Sequence, residues 1–356
     1  MDSVIEVGLV GFGLAGKSFH APVIRAVPGL HLAAIVQRTS NEASTLYPDA
    51  KLVRSLDELL QIETIRLIVI ATPNQIHFPL VRKCLEAGRD VVVDKPITTT
   101  LAEAKDLYKI AGKYGRLLTV YHNRRFDADF QAIRGVLASG ELGRVVRFES
   151  FYDRFRPVPK PGAWREKPQP GSGVLFDLGP HLIDHALTLF GKPESIGADI
   201  RTEREAFLTD DAFDLFLRYS GNLRVQLSAT MLAAIPRPRF RIFGTRGSLI
   251  KKKFDPLEPT LRSGAVPAED TWVIERKEHF AELVVIGDGQ TTTRKVPSVG
   301  DWRDFYANVR DVLLNKTELL VTPQQVLDVM LTLELAKESS RHQRFVAWSE
   351  ESVSDV

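Results

Sequence analysis

The sequence predicts an α/β protein of two domains. Residues 1–122 would form a doubly wound parallel sheet, and residues 123–356 an α/β domain with a large, mostly antiparallel open sheet. Three observations predict this. In the first third, short and nearly continuous runs of Val, Ile and Leu alternate with helical patterns, as a parallel sheet covered on both faces requires. A glycine-rich turn separates the first such run from the first helical stretch. Further along, longer strand-like runs follow one another with period-two alternation, as at Val225, Leu227, Ala229 and Met231, the pattern of a sheet with one face packed on helices.

In chain order, the predicted strands of the first domain are Val4–Val10, Leu30–Val36, Leu67–Ala71, Asp90–Val93 and Leu117–Tyr121, with helices over Phe78–Ala87 and Leu101–Tyr114. A helix over Asp127–Ser139 leads into the second domain. Its strands are expected at Val145–Tyr152, Ser195–Arg201, Ala212–Tyr219, Leu223–Met231 and Phe240–Phe243, interrupted by a helix over Leu175–Phe190. Residues 251–300 are rich in Pro, Lys and Glu and show little pattern, so no element is assigned there. Helices over Trp302–Asn315 and Pro323–Glu338 follow.

A chain of 356 residues buries a sizeable core without staples. Its net charge of +2 provides no global field for nucleic acid or a membrane surface, and neither is expected as a partner. Cys84 is the lone cysteine, which excludes an intrachain disulfide and fits a reducing compartment. The first residues, MDSVIEVGLVGFG, lack a basic leader region, and no apolar run is long enough to span a bilayer. A cytoplasmic setting is therefore expected.

Gly11-Phe12-Gly13-Leu14-Ala15-Gly16 follows a predicted strand and opens a predicted helix, the context in which this spacing signals a dinucleotide site in a Rossmann domain. Gly11 permits the tight turn, Gly13 the approach of a pyrophosphate, and Gly16 close helix–strand packing. The helix N-terminus offers free N–H groups to the phosphates. The second strand runs into Gln37-Arg38-Thr39, where an NAD enzyme would usually place an acidic residue for the ribose hydroxyls. Neutral Gln37 followed by Arg38 suits a 2′-phosphate instead, so NADP is the expected cofactor, with NAD as the alternative. Arg38 could also be a solvated turn residue.

Lys95-Pro96 follows a strand end, where ligands of open α/β sheets bind, and its ammonium could polarise a substrate oxygen. Asp177 and His181 are four apart and share a face if helical; a carboxylate there would orient the imidazole for acid–base work. Pro180 complicates a regular helix, so the stretch could be a turn, with Asp177 as the N-cap of the helix carrying His181. His181 and His185 have metal-ligand spacing, but no third ligand is evident and no metal is assigned. Further polar groups are Thr72, Pro73 and Asn74 with His77, then His122, Asn123, Arg124 and Arg125, then Tyr152, Arg154, Arg156, Trp164 and Arg165. Several of these offer donors and an aromatic face to a hydroxylated ring.

Taken together, Gly11–Gly16, Ala71-Thr72-Pro73-Asn74 with His77, Lys95-Pro96 and Asp177-x-x-x-His181 resemble the glucose–fructose oxidoreductase and inositol dehydrogenase (Gfo/Idh/MocA) family over essentially the whole chain. Asp94 stands where that family usually has Glu. The blocks YHNRRFD, YDRFRP, WRE and GSGVLFDLGPHLID are similar to NADP-dependent scyllo-inositol dehydrogenases. The resemblance implies Lys95, Asp177 and His181 as the catalytic set. The cofactor would lie on Gly11–Gly16, Gln37–Thr39, Thr72–Asn74, His77, Lys95 and Pro96. The substrate, a cyclic polyol or sugar, would meet Lys95, His122, Asn123, Arg124, Tyr152, Arg154, Trp164, Asp177 and His181. The resemblance also implies a homodimer or homotetramer through the second sheet, whose free face is expected to be apolar. A sugar-phosphate dehydrogenase, a nucleotide-sensing regulator of the same fold and a nicotinamide-dependent glycosidase are the competing readings.

Overall fold

Six parallel strands build the first unit: β1 (Ile5–Val10), β2 (Leu30–Val36), β3 (Lys51–Val53), β4 (Ile65–Ile70), β5 (Asp90–Val93) and β6 (Leu118–Val120). Their order is β3-β2-β1-β4-β5-β6, so the strand order reverses at the β1/β4 pair. Both faces are covered, which is why the strands read as unbroken apolar runs; Val91, Val92 and Val93 are wholly buried. The computed structural model describes residues 4–159, 162–205, 207–267, 275–287, 289–297 and 299–353.

The crossovers carry α1 (Ala21–Arg25), reached through a π-helical turn at Gly16–His20, then α2 (Glu42–Leu46), α3 (Leu56–Leu60), α4 (His77–Glu86) and α5 (Leu101–Tyr114). Local chemistry sets the ends of α5. The Thr100 side chain accepts the Glu103 N–H at 3.2 Å, Glu103 reaches back to the Thr99 N–H, and Gly115 closes the helix at φ +59°.

The second unit is organised on a nine-stranded sheet. After α6 (Ala128–Ser139) come β7 (Val145–Asp153), α7 (Gly173–Phe190), β8 (Ser195–Arg201), β9 (Ala212–Arg218), β10 (Arg224–Thr230), β11 (Phe240–Gly244) and β12 (Gly247–Lys251). The short α8 (Leu257–Arg262) is followed by β13 (Ala281–Gly287), β14 (Gln290–Val296), α9 (Arg303–Leu313), α10 (Pro323–His342) and β15 (Val346–Ala347). The sheet order is β14-β13-β12-β11-β7-β10-β9-β8-β15, antiparallel except where β7 and β10 run parallel. Val225, Leu227 and Ala229 are buried on the side that packs against α7. The Ser339 and Ser340 hydroxyls of α10 accept the β8 N–H groups of Ala198 and Ile200, each at 2.9 Å.

The opposite face of the sheet is mixed: apolar residues such as Phe216, Ile250 and Ile286 lie on it among a set of ion pairs. Glu149 pairs with Arg147 and Arg241, Asp153 with Arg237, and Arg201 with Asp199, Glu203 and Asp214. Phe216 is its most exposed aromatic side chain among the described residues, at 40%. Alternation alone told which residues face away from the helices, not that ion pairs would lie among them.

The described residues divide into one compact unit drawn from Met1–Phe126, Pro256–Val273 and Asp301–Val326 and a second drawn from Asp127–Asp255, Ile274–Gly300 and Leu327–Val356. The first unit thus takes in later segments, including α8 and α9, that a division into 1–122 and 123–356 leaves with the second. The Thr119 hydroxyl donates to Val321 O at 2.9 Å and Arg125 to Leu320 O at 2.8 Å, so the returning segment is tied to the end of β6. Among the described residues no helix is long and apolar enough to cross a membrane.

Candidate functional site

The glycine loop follows β1 at the point of strand reversal. Gly11 adopts φ +100°, and a Cβ there would stand 2.4 Å from Ala71 O. A Cβ on Gly16 would stand 1.9 Å from Gly11 O, so the loop and the start of the helix touch through backbone alone. A Cβ on Gly13 would meet nothing within 4 Å. Gly13 and Leu14 are exposed, Ala15 is half-buried, and Phe12 turns inward with its ring edge-on to Tyr47 at 5.8 Å. The loop therefore presents open backbone on its outer side, the cradle a pyrophosphate needs, and these residues fit a dinucleotide.

At the end of β2 the Gln37 side chain accepts the Ala43 N–H at 2.9 Å and is committed to the start of α2. Arg38, Thr39 and Ser40 are exposed. Arg38 forms no ion pair or side-chain hydrogen bond with any described residue. Arg54 holds this loop from the edge strand, donating to Gln37 O at 2.8 Å and Ser40 O at 2.7 Å and reaching the Asn41 side chain.

After β4, Thr72 and Pro73 are half-buried and Asn74 is buried. His77 is wholly buried, its ring bridging Thr72 O at 2.9 Å and Pro96 O at 2.8 Å. It thereby ties the loop after β4 to the loop after β5. Lys95 is 9% exposed, precedes a cis peptide bond to Pro96, and donates its backbone N–H to Asp94 Oδ1 at 2.8 Å. Burial raises the pKa of the Asp94 carboxyl, but His20, Lys95 and His77 more than offset this and hold it at about 2. His122 to Arg125 are all buried. Arg124 pairs with Glu258, and Arg125 also bonds Gln325 at 2.8 Å.

In the second unit, α7 runs unbroken from Gly173 to Phe190 with Pro180 inside it. Asp177 therefore lies within the helix and is not its N-cap, and the turn reading of this stretch does not hold. Asp177 and His181 share a face. The helix is capped instead by Asp210, whose carboxylate accepts the Leu175 N–H at 2.6 Å and whose carbonyl accepts the Val174 N–H at 3.0 Å. Burial, helped by neighbouring Asp211 and opposed by these backbone bonds, pushes the Asp210 carboxyl up to about 6. Arg165 Nε lies 3.0 Å from Asp177 Oδ1, and its guanidinium covers the Trp164 ring at 4.4 Å. His181 is 7% exposed. His185 is wholly buried and stacks flat on Phe130 at 3.9 Å. No cluster of three or more His, Cys, Asp or Glu able to hold a metal occurs among the described residues. Tyr152 is buried against Phe254 at 4.6 Å, and Arg154 lies over its ring at 4.8 Å.

Sequence reasoning missed Arg54, the Asp210 cap and the pairing of Arg165 with Asp177. Each joins residues distant in the chain. Ser172, just before α7, carried the local capping signal, yet its side chain does not cap.

A doubly wound nucleotide domain with an open glycine loop, followed in the chain by a unit built on a large open sheet, defines a class of nicotinamide-dependent oxidoreductases. Residues 5–122 match the oxidoreductase family with an NAD-binding Rossmann fold, and residues 130–250 match the GFO/IDH/MocA C-terminal domain. The chain is 41% identical over 342 residues to the uncharacterised oxidoreductase YdgJ of Escherichia coli K12, covering 96% of this chain and 98% of that protein. It is 34% identical over 343 residues to the scyllo-inositol 2-dehydrogenase (NADP(+)) IolW of Bacillus subtilis 168, covering 96% and 95%. The solved structure of Bacillus subtilis yvaA superposes with a TM-score of 0.94 at 33% identity, covering 98% and 99%. The chain belongs to the Gfo/Idh/MocA family and is an NAD(P)-dependent dehydrogenase.

Proposed function

We propose that this dehydrogenase prefers NADP and oxidises a ring hydroxyl of a cyclic polyol, with scyllo-inositol the first candidate. The observation that carries the cofactor preference is the loop after β2. Gln37 is turned onto Ala43 and residues 37–40 carry no carboxylate for the ribose hydroxyls, while Arg38 stands exposed for a phosphate. The glycine loop Gly11–Gly16 would hold the pyrophosphate, with Thr72, Pro73 and Asn74 beside it. When bound, the dinucleotide supplies a hydride acceptor or, in reverse, a donor.

The protein's own groups handle the proton and the oxygen. His181 takes the hydroxyl proton on a ring nitrogen and returns it in the reverse direction. Asp177 orients that imidazole, and Arg165 holds Asp177 in place from the Trp164 turn. The Lys95 ammonium stabilises negative charge developing on the substrate oxygen. Asn123, His122, Arg124, Tyr152, Arg154 and Trp164 are the proposed lining of the polyol site. Support for scyllo-inositol comes from the likeness to IolW. The pairing of Arg165 with Asp177 leaves one fewer cation for a sugar phosphate. A second copy docked on the sheet of the second unit is proposed as well, through a face that offers both ion pairs and apolar side chains.

The test is a 340 nm assay of scyllo-inositol, myo-inositol, glucose and a sugar phosphate with NADP and with NAD. Turnover of scyllo-inositol with a higher kcat/KM for NADP is expected. Equal or better efficiency with NAD would remove the cofactor assignment, and turnover of the phosphate alone would remove the inositol one. Light scattering at micromolar concentration should give a dimer or tetramer; a monomer would rule out the assembly.

A further inference from the structure

We propose that His20 is a positioning residue for Lys95, acting through Asp94. This rests on the reading of Lys95 as the group that meets the substrate oxygen. His20 ends the π-helical turn that begins at Gly16, so one turn has the dinucleotide loop at its start and this imidazole at its end. Such turns recur at functional sites. The imidazole is wholly buried in an aromatic cage, tilted over Tyr121 at 4.3 Å and edge-on to Tyr306 at 6.2 Å. Packing alone would favour an apolar ring there, because a buried polar group costs free energy unless it is partnered.

His20 has a polar neighbour at each ring nitrogen, Tyr306 at one and Asp94 at the other. Its Nδ1 lies 2.6 Å from the Tyr306 hydroxyl. With Tyr306 donating to Nδ1, Nε2 carries a proton; as an imidazolium, His20 carries one there too. In both forms a donor faces Asp94 Oδ2 at 3.8 Å, too long for a hydrogen bond and an ion pair only for the imidazolium; the remaining tautomer, with Nδ1–H donating to Tyr306, would turn a bare nitrogen lone pair onto the carboxylate, which disfavours it. The other Asp94 oxygen accepts the Lys95 N–H, and the Asp94 N–H is spent on Ile70 O at 2.8 Å. The carboxylate is thus set between the Lys95 backbone on one side and His20 on the other. The low pKa of Asp94 keeps it an anion across the working range, so the anchor does not lapse.

Three variants test this: His20→Phe fills the cage without a donor, His20→Gln restores an N–H, and Tyr306→Phe removes only the hydroxyl. Nucleotide binding is read as the Kd for NADPH by fluorescence. Lys95 anchoring is read as its acetylation rate with dilute acetic anhydride, measured by peptide mass spectrometry against the exposed Lys109 and Lys113. The expected result for His20→Phe is an NADPH Kd close to that of the unmutated protein and several-fold faster acetylation of Lys95. Its kcat with scyllo-inositol should fall roughly ten- to a hundredfold, the cost of misplacing a reacting group. His20→Gln should recover most of both, and Tyr306→Phe should shift both in the same direction by less. Unchanged Lys95 acetylation in folded His20→Phe overturns the proposal, as does a kcat loss that His20→Gln leaves unrepaired. If the unmutated protein turns over no member of the substrate panel, the reading of its function fails, while the acetylation arm still decides the role of His20.

Discussion

Asp94 in the first unit and Asp210 in the second are both carboxylates withdrawn from most solvent, and each accepts a backbone N–H beside a proposed catalytic residue or helix. Burial pushes both pKa values up. Asp94 nevertheless ends at about 2, because His20, Lys95 and His77 surround it with positive or donating groups. Asp210 ends at about 6, because it faces backbone N–H groups and a second carboxylate, Asp211, whose own cation, Arg204, lies on Asp211 at 2.8 Å. The countercharge, more than the depth of burial, separates an anchor that is always ionised from a cap that titrates.

Two glycines, one at the dinucleotide loop and one beside Asp210, offer the largest effect. At Gly16 a Cβ would meet rigid backbone, Gly11 O at 1.9 Å; at Gly173 it would meet the Asp210 carboxylate at 2.0 Å, a side chain able to swing away. Gly16→Ala should therefore cost about 3 kcal/mol or more, as overpacking at its worst does. Gly173 sits at φ +85°, so Gly173→Ala should cost about 1–2 kcal/mol from backbone conformation. Urea unfolding measures both. Equal losses would mean that Asp210 is held as rigidly as the backbone of the glycine loop.

Next in size is the charge itself. Asp94→Asn removes the anion between His20 and Lys95 and should cost roughly 1.5–3 kcal/mol at pH 7, the usual range for a hydrogen bond to a charged group. Asp210→Asn keeps an acceptor for Leu175 and loses only an unwelcome charge, so it should cost nothing at that pH. A larger loss at Asp210 than at Asp94 would reverse the comparison.

How much of this was legible in the chain follows from the range of each interaction. β1, β2, β4 and β5 were readable because burial on both faces demands unbroken apolar runs. β14 was not, because Gln290–Lys295 are all exposed and carry no alternation. β3 and β15 are too short to show a period. The glycine loop was readable because its logic lies within six residues. Pro180 misled in one respect: a helix held by Asp210 at its start and packed along the sheet accommodates a proline that an isolated helix would not. The partners of the functional residues were not readable at all. His20 meets Tyr306 across 286 positions, and Leu175 meets Asp210 across 35; only the folded sheet and its crossovers bring them together.

The smallest predicted effect is the one most specific to the comparison. In the folded chain Asp210 holds its proton up to about pH 6, while the same group has its ordinary pKa near 3.8 when unfolded. Between those values the native state binds the extra proton, so stability falls as pH rises from about 4 through 6 and then levels. Asp94 works in the opposite sense: its contribution is complete above its ordinary pKa and is lost only as pH falls toward 2. Asp210→Asn removes the first effect and leaves the second. The stability difference between variant and unmutated protein should therefore be smallest near pH 4 and grow in the variant's favour up to pH 7. A shift of this size at full burial would correspond to about 3 kcal/mol. Asp210 keeps part of its surface in water, and solvent screening brings the expected gain to on the order of 1 kcal/mol. Urea titrations of both proteins at half-unit steps from pH 4 to 7.5 would measure it. A difference that stays flat, or that grows toward low pH, would show that the Asp210 cap is ionised throughout and that the two carboxylates differ less than their surroundings imply.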